Sequence, residues 1–128
     1  IVPGGGGKDS CYASHILKFK YGMNPLTVTW PPNLYTDYGY ENFKKWLSTG
    51  SFKNISAKRN ENLLKFLTAQ ATKNLLHPFQ PFMLGQKIFP IKTSIKYKIP
   101  LIFYSFLEGT YCPMYPMLFL NIFSMLVT

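Results

Sequence analysis

The chain has 128 residues, enough for one domain with an apolar core. Its hydrophobic fraction of 47% and aromatic fraction of 17% exclude an intrinsically disordered polymer. The net charge of +9 favours an anionic ligand such as a nucleotide, a sugar phosphate, RNA or acidic lipid, without choosing among them.

The N-terminal part of the chain alternates segments typical of strands and of helices. Residues 1–3 predict the end of a strand, and four glycines follow them. Apolar residues over residues 11–21 recur at spacings that indicate a helix, which Gly22 would end. The β-branched and aromatic run over residues 25–30 predicts a buried strand.

The same alternation continues in the middle of the chain. Residues 38–48 place apolar side chains on one helical face, and Gly50 would close this helix. Residues 52–57 alternate weakly and predict a short strand. The next helix is expected to be capped by Asn60 and to end at His77-Pro78.

The last part of the chain predicts one more helix and one more strand. Residues 81–97 favour a helix that is interrupted or restarted at Pro90, and residues 100–104 have a strong strand pattern. Such alternation is typical of an α/β domain whose parallel sheet carries helices on both faces. We assign this domain to residues 1–104. The apolar tail, residues 105–128, has no lysine or arginine and is either a core or interface segment or lies outside the fold.

The cysteines and the hydropathy pattern bear on the cellular compartment. Cys11 and Cys112 are far apart and show no metal-ligand spacing, so we interpret them as free thiols, with a disulfide as the alternative. The first residues lack the pattern of a secretory signal. The eleven residues 117–127 are too few to span a bilayer as a helix. We therefore expect a cytoplasmic protein without a transmembrane span.

The glycine run carries the strongest chemical signal. It continues into Lys8, Asp9 and Ser10, a spacing that excludes the Walker A motif and the GxGxxG fingerprint. Glycines let backbone amides approach a phosphate, and the following helix N-terminus is positive. Lys8 would add a charge, Ser10 a hydroxyl donor, and Asp9 would hold Mg²⁺ or cap the helix. We interpret the stretch as a phosphate site, with a plain tight turn as the alternative.

The motif GGKDS at residues 6–10 resembles the PP-loop of ATP pyrophosphatases, whose pattern is SGGxDS or SGGxDT. Gly5 stands where that pattern has serine. Longer stretches are similar to the N-acetyl sugar amidotransferase family of lipopolysaccharide and flagellin-glycan biosynthesis. They lie at residues 21–30, 34–46 and 74–87.

This resemblance spans roughly residues 1–104 and implies an incomplete domain of the adenine nucleotide alpha hydrolase type. It implies ATP and Mg²⁺ as cofactors, with Asp9 on the metal. ATP would activate the acetamido oxygen of an N-acetylated sugar, nucleotide-linked or a nonulosonate such as pseudaminic acid. Ammonia from a partner glutaminase would then give an acetamidino group. The nucleotide contacts implied by the motif are Gly6, Gly7, Lys8, Asp9 and Ser10.

Further candidate residues come from the expected sheet edge. Ligands of open parallel sheets bind beyond the carboxyl ends of strands, so Thr29 and Trp30 would border the adenine. Core packing explains Trp30 equally well, and helix capping explains Asp37. Loops supply the candidate substrate contacts, which are Tyr35, Asp37, His77 and Gln80. A rigid helix connector explains His77 and Gln80 equally well.

Two other functions remain as alternatives. PP-loop enzymes also modify tRNA, and a face of scattered lysines would suit that role. The sugar-family stretches argue against it, so we expect no nucleic-acid partner. The second alternative is an inactive, truncated remnant, which Gly5 and the apolar tail favour.

Overall fold

A computed structural model describes residues 1–105 of the chain, which form an α/β domain. Its three short strands are parallel and hydrogen-bonded in the order β1-β2-β3. The register pairs Val2 with Thr27 and Val28 with Ile55. The predicted parallel sheet is therefore confirmed. The strands are β1 (Val2–Pro3), β2 (Thr27–Thr29) and β3 (Asn54–Ser56).

Four α-helices connect and follow the strands. Gly22 (φ +64°) follows a π-helical stretch, Ile16–Lys20, that extends the first helix, and Asn60 caps the third by accepting from the amide of Leu63 at 3.1 Å. Both roles were predicted. The first helix begins at Lys8, three residues before the apolar pattern that predicted it. Its first turn is polar, so the apolar pattern did not reveal that turn. The helices are α1 (Lys8–His15), α2 (Asp37–Gly50), α3 (Glu61–Leu75) and α4 (Gln80–Tyr97).

The helices pack as two separate pairs. α1 contacts β1 and α2, whereas α4 contacts β1, β2 and α3. The chain moves from β1 through β2 to β3 and then returns past β1. Because crossovers between parallel strands are right-handed, this reversal puts the two pairs on opposite faces of the sheet.

The predicted break of the last helix at Pro90 is wrong. α4 runs without interruption from Gln80 to Tyr97, and Pro90 is buried within it. Proline has no amide hydrogen, so the carbonyl of Gln86, four residues earlier, lacks its usual helical donor. The packing of α4 against the sheet and α3 outweighs this local cost.

The predicted strand over residues 100–104 is also absent as a regular element of the described chain. The backbone nitrogen of Ile1 donates to the carbonyl of Leu101 at 2.7 Å, and the amide of Phe103 donates to the carbonyl of Ile1 at 2.9 Å. This is a single parallel bridge, too short for a ladder. The backbone of Ile1 bonds residues 101 and 103, whereas the amide of Val2 donates to the carbonyl of Leu26, just before β2. Residues 101–103 therefore lie on the edge of β1 away from β2.

A row of polar side chains joins β3 to β2 and to the residue that follows β1. The side chains of Thr27 and Thr29 have no solvent exposure, and the Asn54 amide donates to both hydroxyls at 2.9 Å. The Thr29 hydroxyl donates to the carbonyl of Gly4 at 2.8 Å. These hydrogen bonds therefore fix the position of Gly4, where the glycine turn begins.

We expect Thr29→Val to lower the free energy of unfolding by about 1–3 kcal/mol, because the Gly4 carbonyl loses its donor and the Asn54 amide loses an acceptor. Thr72→Val is the matched control, since the exposed Thr72 hydroxyl only bonds the Thr68 carbonyl of its own helix. The control should stay within about 0.5 kcal/mol. Urea denaturation followed by circular dichroism measures both, and equal losses would contradict the role of Thr29.

Candidate functional site

The four glycines between β1 and α1 have different surroundings. Gly6 has φ +87°, and a Cβ there would lie 2.7 Å from the Cα of Phe43 on α2. A Cβ on Gly4 would overlap the Ser10 side chain. Gly5 and Gly7 face open space. The turn therefore requires glycine at positions 4 and 6, where it packs closely against α1 and α2.

α1 begins directly after this turn, with Gly7 as its N-cap. The amide of Cys11 donates to the carbonyl of Gly7 at 3.0 Å, which is the first bond of the helix ladder. The amides of residues 8–10 precede it and have no acceptor within the helix. Together with the positive end of the helix dipole, they form a terminus suited to an anion.

A cleft of about 370 Å³ opens beside this helix terminus. It lies at the carboxyl end of β1, between β2 and residues 101–103, where the direction of the chain across the sheet reverses. Open α/β sheets bind their ligands at this position. One side of the cleft is lined by Pro3, Gly4, Gly5, Gly7, Lys8, Asp9 and Ser10, and the remainder by Val28, Trp30, Pro32, Phe82, Gln86, Pro90 and Ser105.

The wall contributed by α4 was missed by the sequence analysis. Phe82, Gln86 and Pro90 are four residues apart and share one helical face, but the helix was expected to break at Pro90. The regular spacing was the available signal. The carbonyl that Pro90 leaves without a helical donor belongs to Gln86, and this wall combines the apolar Phe82 and Pro90 with a polar residue, Gln86.

The predicted nucleotide residues lie in or directly behind the cleft. Gly7, Lys8, Asp9, Ser10 and Trp30 line it. The Ser10 hydroxyl donates to the carbonyl of Gly7 at 2.9 Å, so in this structure it stabilises the turn. Gly6 lies behind the turn against α2, and Thr29 lies beneath it, with its hydroxyl on the carbonyl of Gly4.

The four predicted substrate residues are not among those that line the cleft. Asp37 is exposed in the first turn of α2, whose cap is Thr36. His77 is exposed in the α3–α4 connection, and Gln80 is the first residue of α4. Tyr35 packs on Tyr40 with ring centroids 5.5 Å apart; burial raises the pKa of its phenol, and the charge of Arg59 partly opposes this.

A buried hydrogen bond fixes α1 against α2. The indole Nε1 of Trp46 donates to the hydroxyl of Ser14 at 2.7 Å, and that hydroxyl donates to the carbonyl of Ser10 at 2.7 Å. Ser14 is fully buried, and Trp46 is 5% exposed. The sequence analysis missed this contact, although Ser10 and Ser14 lie one helical turn apart. The contact stabilises the position of the terminus that borders the cleft.

Two potentially reactive side chains, the Cys11 thiol and the Asp9 carboxylate, lie in the first turn of α1. The Cys11 thiol donates to the carbonyl of Gly6 at 3.5 Å, and burial raises its pKa, so it remains protonated at neutral pH. It is a free thiol, and Cys112 lies outside the described residues. Within residues 1–105, no group of three or more His, Cys, Asp or Glu side chains could hold a metal. Exposed Asp9 nevertheless fits Mg²⁺ that arrives with phosphates, since this ion often takes one protein carboxylate.

These features define a class: an α/β domain with a parallel sheet and a candidate anion-binding cleft at its switch point. Comparison with known proteins finds no matching family model and no curated relative. Among the helices of residues 1–105, none has the length and hydropathy that crossing a membrane requires. The function is therefore argued from the cleft itself.

We expect Gly6→Ala to destabilise the protein by at least about 1–2 kcal/mol, because its left-handed φ disfavours any Cβ and the added methyl meets the backbone of Phe43. Gly5→Ala is the matched control and should change the free energy of unfolding by less than about 0.5 kcal/mol, since its Cβ faces open space. Thermal and urea denaturation distinguish the two. A tolerated Gly6→Ala would contradict the close packing of the turn.

Proposed function

We propose that this chain is the nucleotide-binding part of an ATP-dependent amidotransferase of the N-acetyl sugar family. The observation that carries the proposal is the cleft at the sheet's switch point. In it, the glycine turn and the unpaired amides at the start of α1 lie opposite an aromatic and apolar wall from α4. The position of the GGKDS motif at a helix N-terminus supports phosphate binding there.

The two sides of the cleft favour a nucleotide over a free phosphate. The phosphate side has the amides of residues 8–10 and the ammonium group of Lys8. The other side has Trp30 and Phe82, flat apolar surfaces on which a base would stack. The carbonyl of Gln86 would accept a hydrogen bond from an exocyclic amine of that base. A cleft of about 370 Å³ lies within the usual range of small-ligand sites.

The proposed reaction has two displacements. The acetamido oxygen of the sugar attacks the α-phosphorus of ATP, the new O–P bond forms, and the bond to pyrophosphate breaks. Ammonia then attacks the acetamido carbon, AMP leaves with the oxygen, and one proton is released to solvent, which gives the protonated acetamidino group. Mg²⁺ would neutralise charge on the departing pyrophosphate. Pyrophosphate release that needs both ATP and an N-acetylated sugar is the signature of this chemistry.

The protein's own part in this reaction is mainly positioning. The amides at the start of α1 and the Lys8 ammonium group would hold the phosphates in line for displacement. Asp9 would hold the metal ion from the exposed first turn of the helix. The turn packs closely against α1 and α2 at Gly4 and Gly6, and this packing would hold the donors in place before the ligand binds.

We expect Asp9→Asn to weaken Mg-ATP binding about tenfold, because one charged contact worth roughly 1.5 kcal/mol is lost. Binding of ATP without Mg²⁺ should not weaken. Isothermal titration calorimetry measures both constants. Glu41→Gln, the same charge change at an exposed position of α2, is the control and should bind as the parent does. A folded parent chain that does not bind Mg-ATP would refute the nucleotide site.

We expect Gly5→Ser to strengthen Mg-ATP binding about three- to tenfold, because the PP-loop pattern has a serine here and one added hydrogen bond is worth roughly 0.5–1.5 kcal/mol. The side chain enters open space, so the fold should tolerate it. Gly5→Ala adds the Cβ without the hydroxyl and is the matched control. If serine and alanine give the same affinity, position 5 has no contact with the phosphates.

A further inference from the structure

A second concavity lies between α3 and α4, separate from the glycine turn. This α3–α4 groove has a volume of about 700 Å³, and most of its lining residues are apolar, six of them leucine or isoleucine. Several are strongly exposed: Leu63 is 54% exposed, Leu75 58% and Ile88 45%. Contiguous apolar surface of this kind marks a site that another segment or molecule covers.

The rim of the α3–α4 groove is positively charged. Lys58, Arg59 and Lys92 border it, and no aspartate or glutamate lines it among the described residues. Arg59 is paired with Glu61 at 2.9 Å, so the two lysines supply the uncompensated charge. A basic apolar segment would be repelled at this rim. The occupant that fits is apolar and carries no lysine or arginine.

We propose that residues 117–127 of this same chain, MLFLNIFSMLV, bind in the α3–α4 groove. Nine of these eleven residues are apolar, and none is charged. All the lysines and arginines of the protein precede residue 105. The segment therefore matches the apolar lining of the groove and carries no positive charge that the rim would repel.

The described chain ends at Ser105, close to α4 and on the side of the cleft. Ser105 lines the cleft together with Phe82, Gln86 and Pro90 of α4, the helix that also forms one side of the groove. α4 has 18 residues and is about 27 Å long. The eleven residues 106–116 reach about 36 Å when extended, so the segment can meet any part of the groove.

The covalent connection also favours this occupant over a separate molecule. A short tether gives a local concentration in the millimolar range, which a second copy or an unlinked partner does not reach at ordinary protein concentrations. This inference does not rest on the proposed function, because the α3–α4 groove contains none of the glycine-turn residues.

Photo-crosslinking in the full chain tests the proposal. Benzoylphenylalanine replaces Leu67, a 42% exposed residue of the groove, and in a control chain it replaces Tyr12, which is 70% exposed on α1. After irradiation, mass spectrometry should find Leu67-site crosslinks to residues 117–127 of the same molecule and none from the Tyr12 site. Crosslinks between two copies, or no crosslink to this segment, would overturn the proposal.

Dye binding gives a second, independent measurement. Phe119→Asp in the full chain should release the groove and raise the fluorescence of anilinonaphthalene sulfonate severalfold, while circular dichroism stays unchanged. The control is Phe66→Asp, a 59% exposed residue of α3 that does not line the groove, and it should leave the fluorescence at the parent level. A parent chain that already binds the dye as strongly as Phe119→Asp would show that the groove is open.

Discussion

The hydrogen bond from the Thr29 hydroxyl to the Gly4 carbonyl is the contact on which the cleft depends. It ties the end of β1 to the end of β2 at the residue where the glycine turn begins. From there the chain passes so close to Ser10 and to the backbone of Phe43 that positions 4 and 6 exclude a Cβ. The turn is therefore clamped between the sheet edge and two helices.

This clamp positions the candidate anion-binding cleft, which has few charged side chains although the chain is strongly basic. Lys8 is the one lysine or arginine that lines the cleft among the described residues, although the protein carries fourteen. The binding free energy would come mainly from backbone amides at the α1 terminus, whose direction the turn and the Ser14–Trp46 contact determine. Preorganised donors of this kind need not reorient when a phosphate arrives.

The sequence predicted the local parts of this arrangement and missed the parts that depend on packing. Alternation of strands and helices predicted the parallel sheet, and the glycine run predicted the turn, because both signals are local. Pro90 predicts a helix break from the local sequence alone, yet burial against the sheet keeps α4 continuous. The row of Thr27, Thr29 and Asn54 pairs residues about 25 positions apart, which no spacing rule reveals. The family resemblance stays a prediction.

Trp30 connects the cleft and the α3–α4 groove. Its indole lines both the cleft and the α3–α4 groove, and Gly85 makes room for it, since a Cβ there would overlap the ring. The ring also packs on Phe89 with centroids 5.9 Å apart. A segment that fills the groove would therefore support the side of Trp30 opposite the cleft. A base stacks best on a ring that is held still. Covering the groove would therefore strengthen base binding in the cleft, and base binding would in turn strengthen the binding of the segment in the groove.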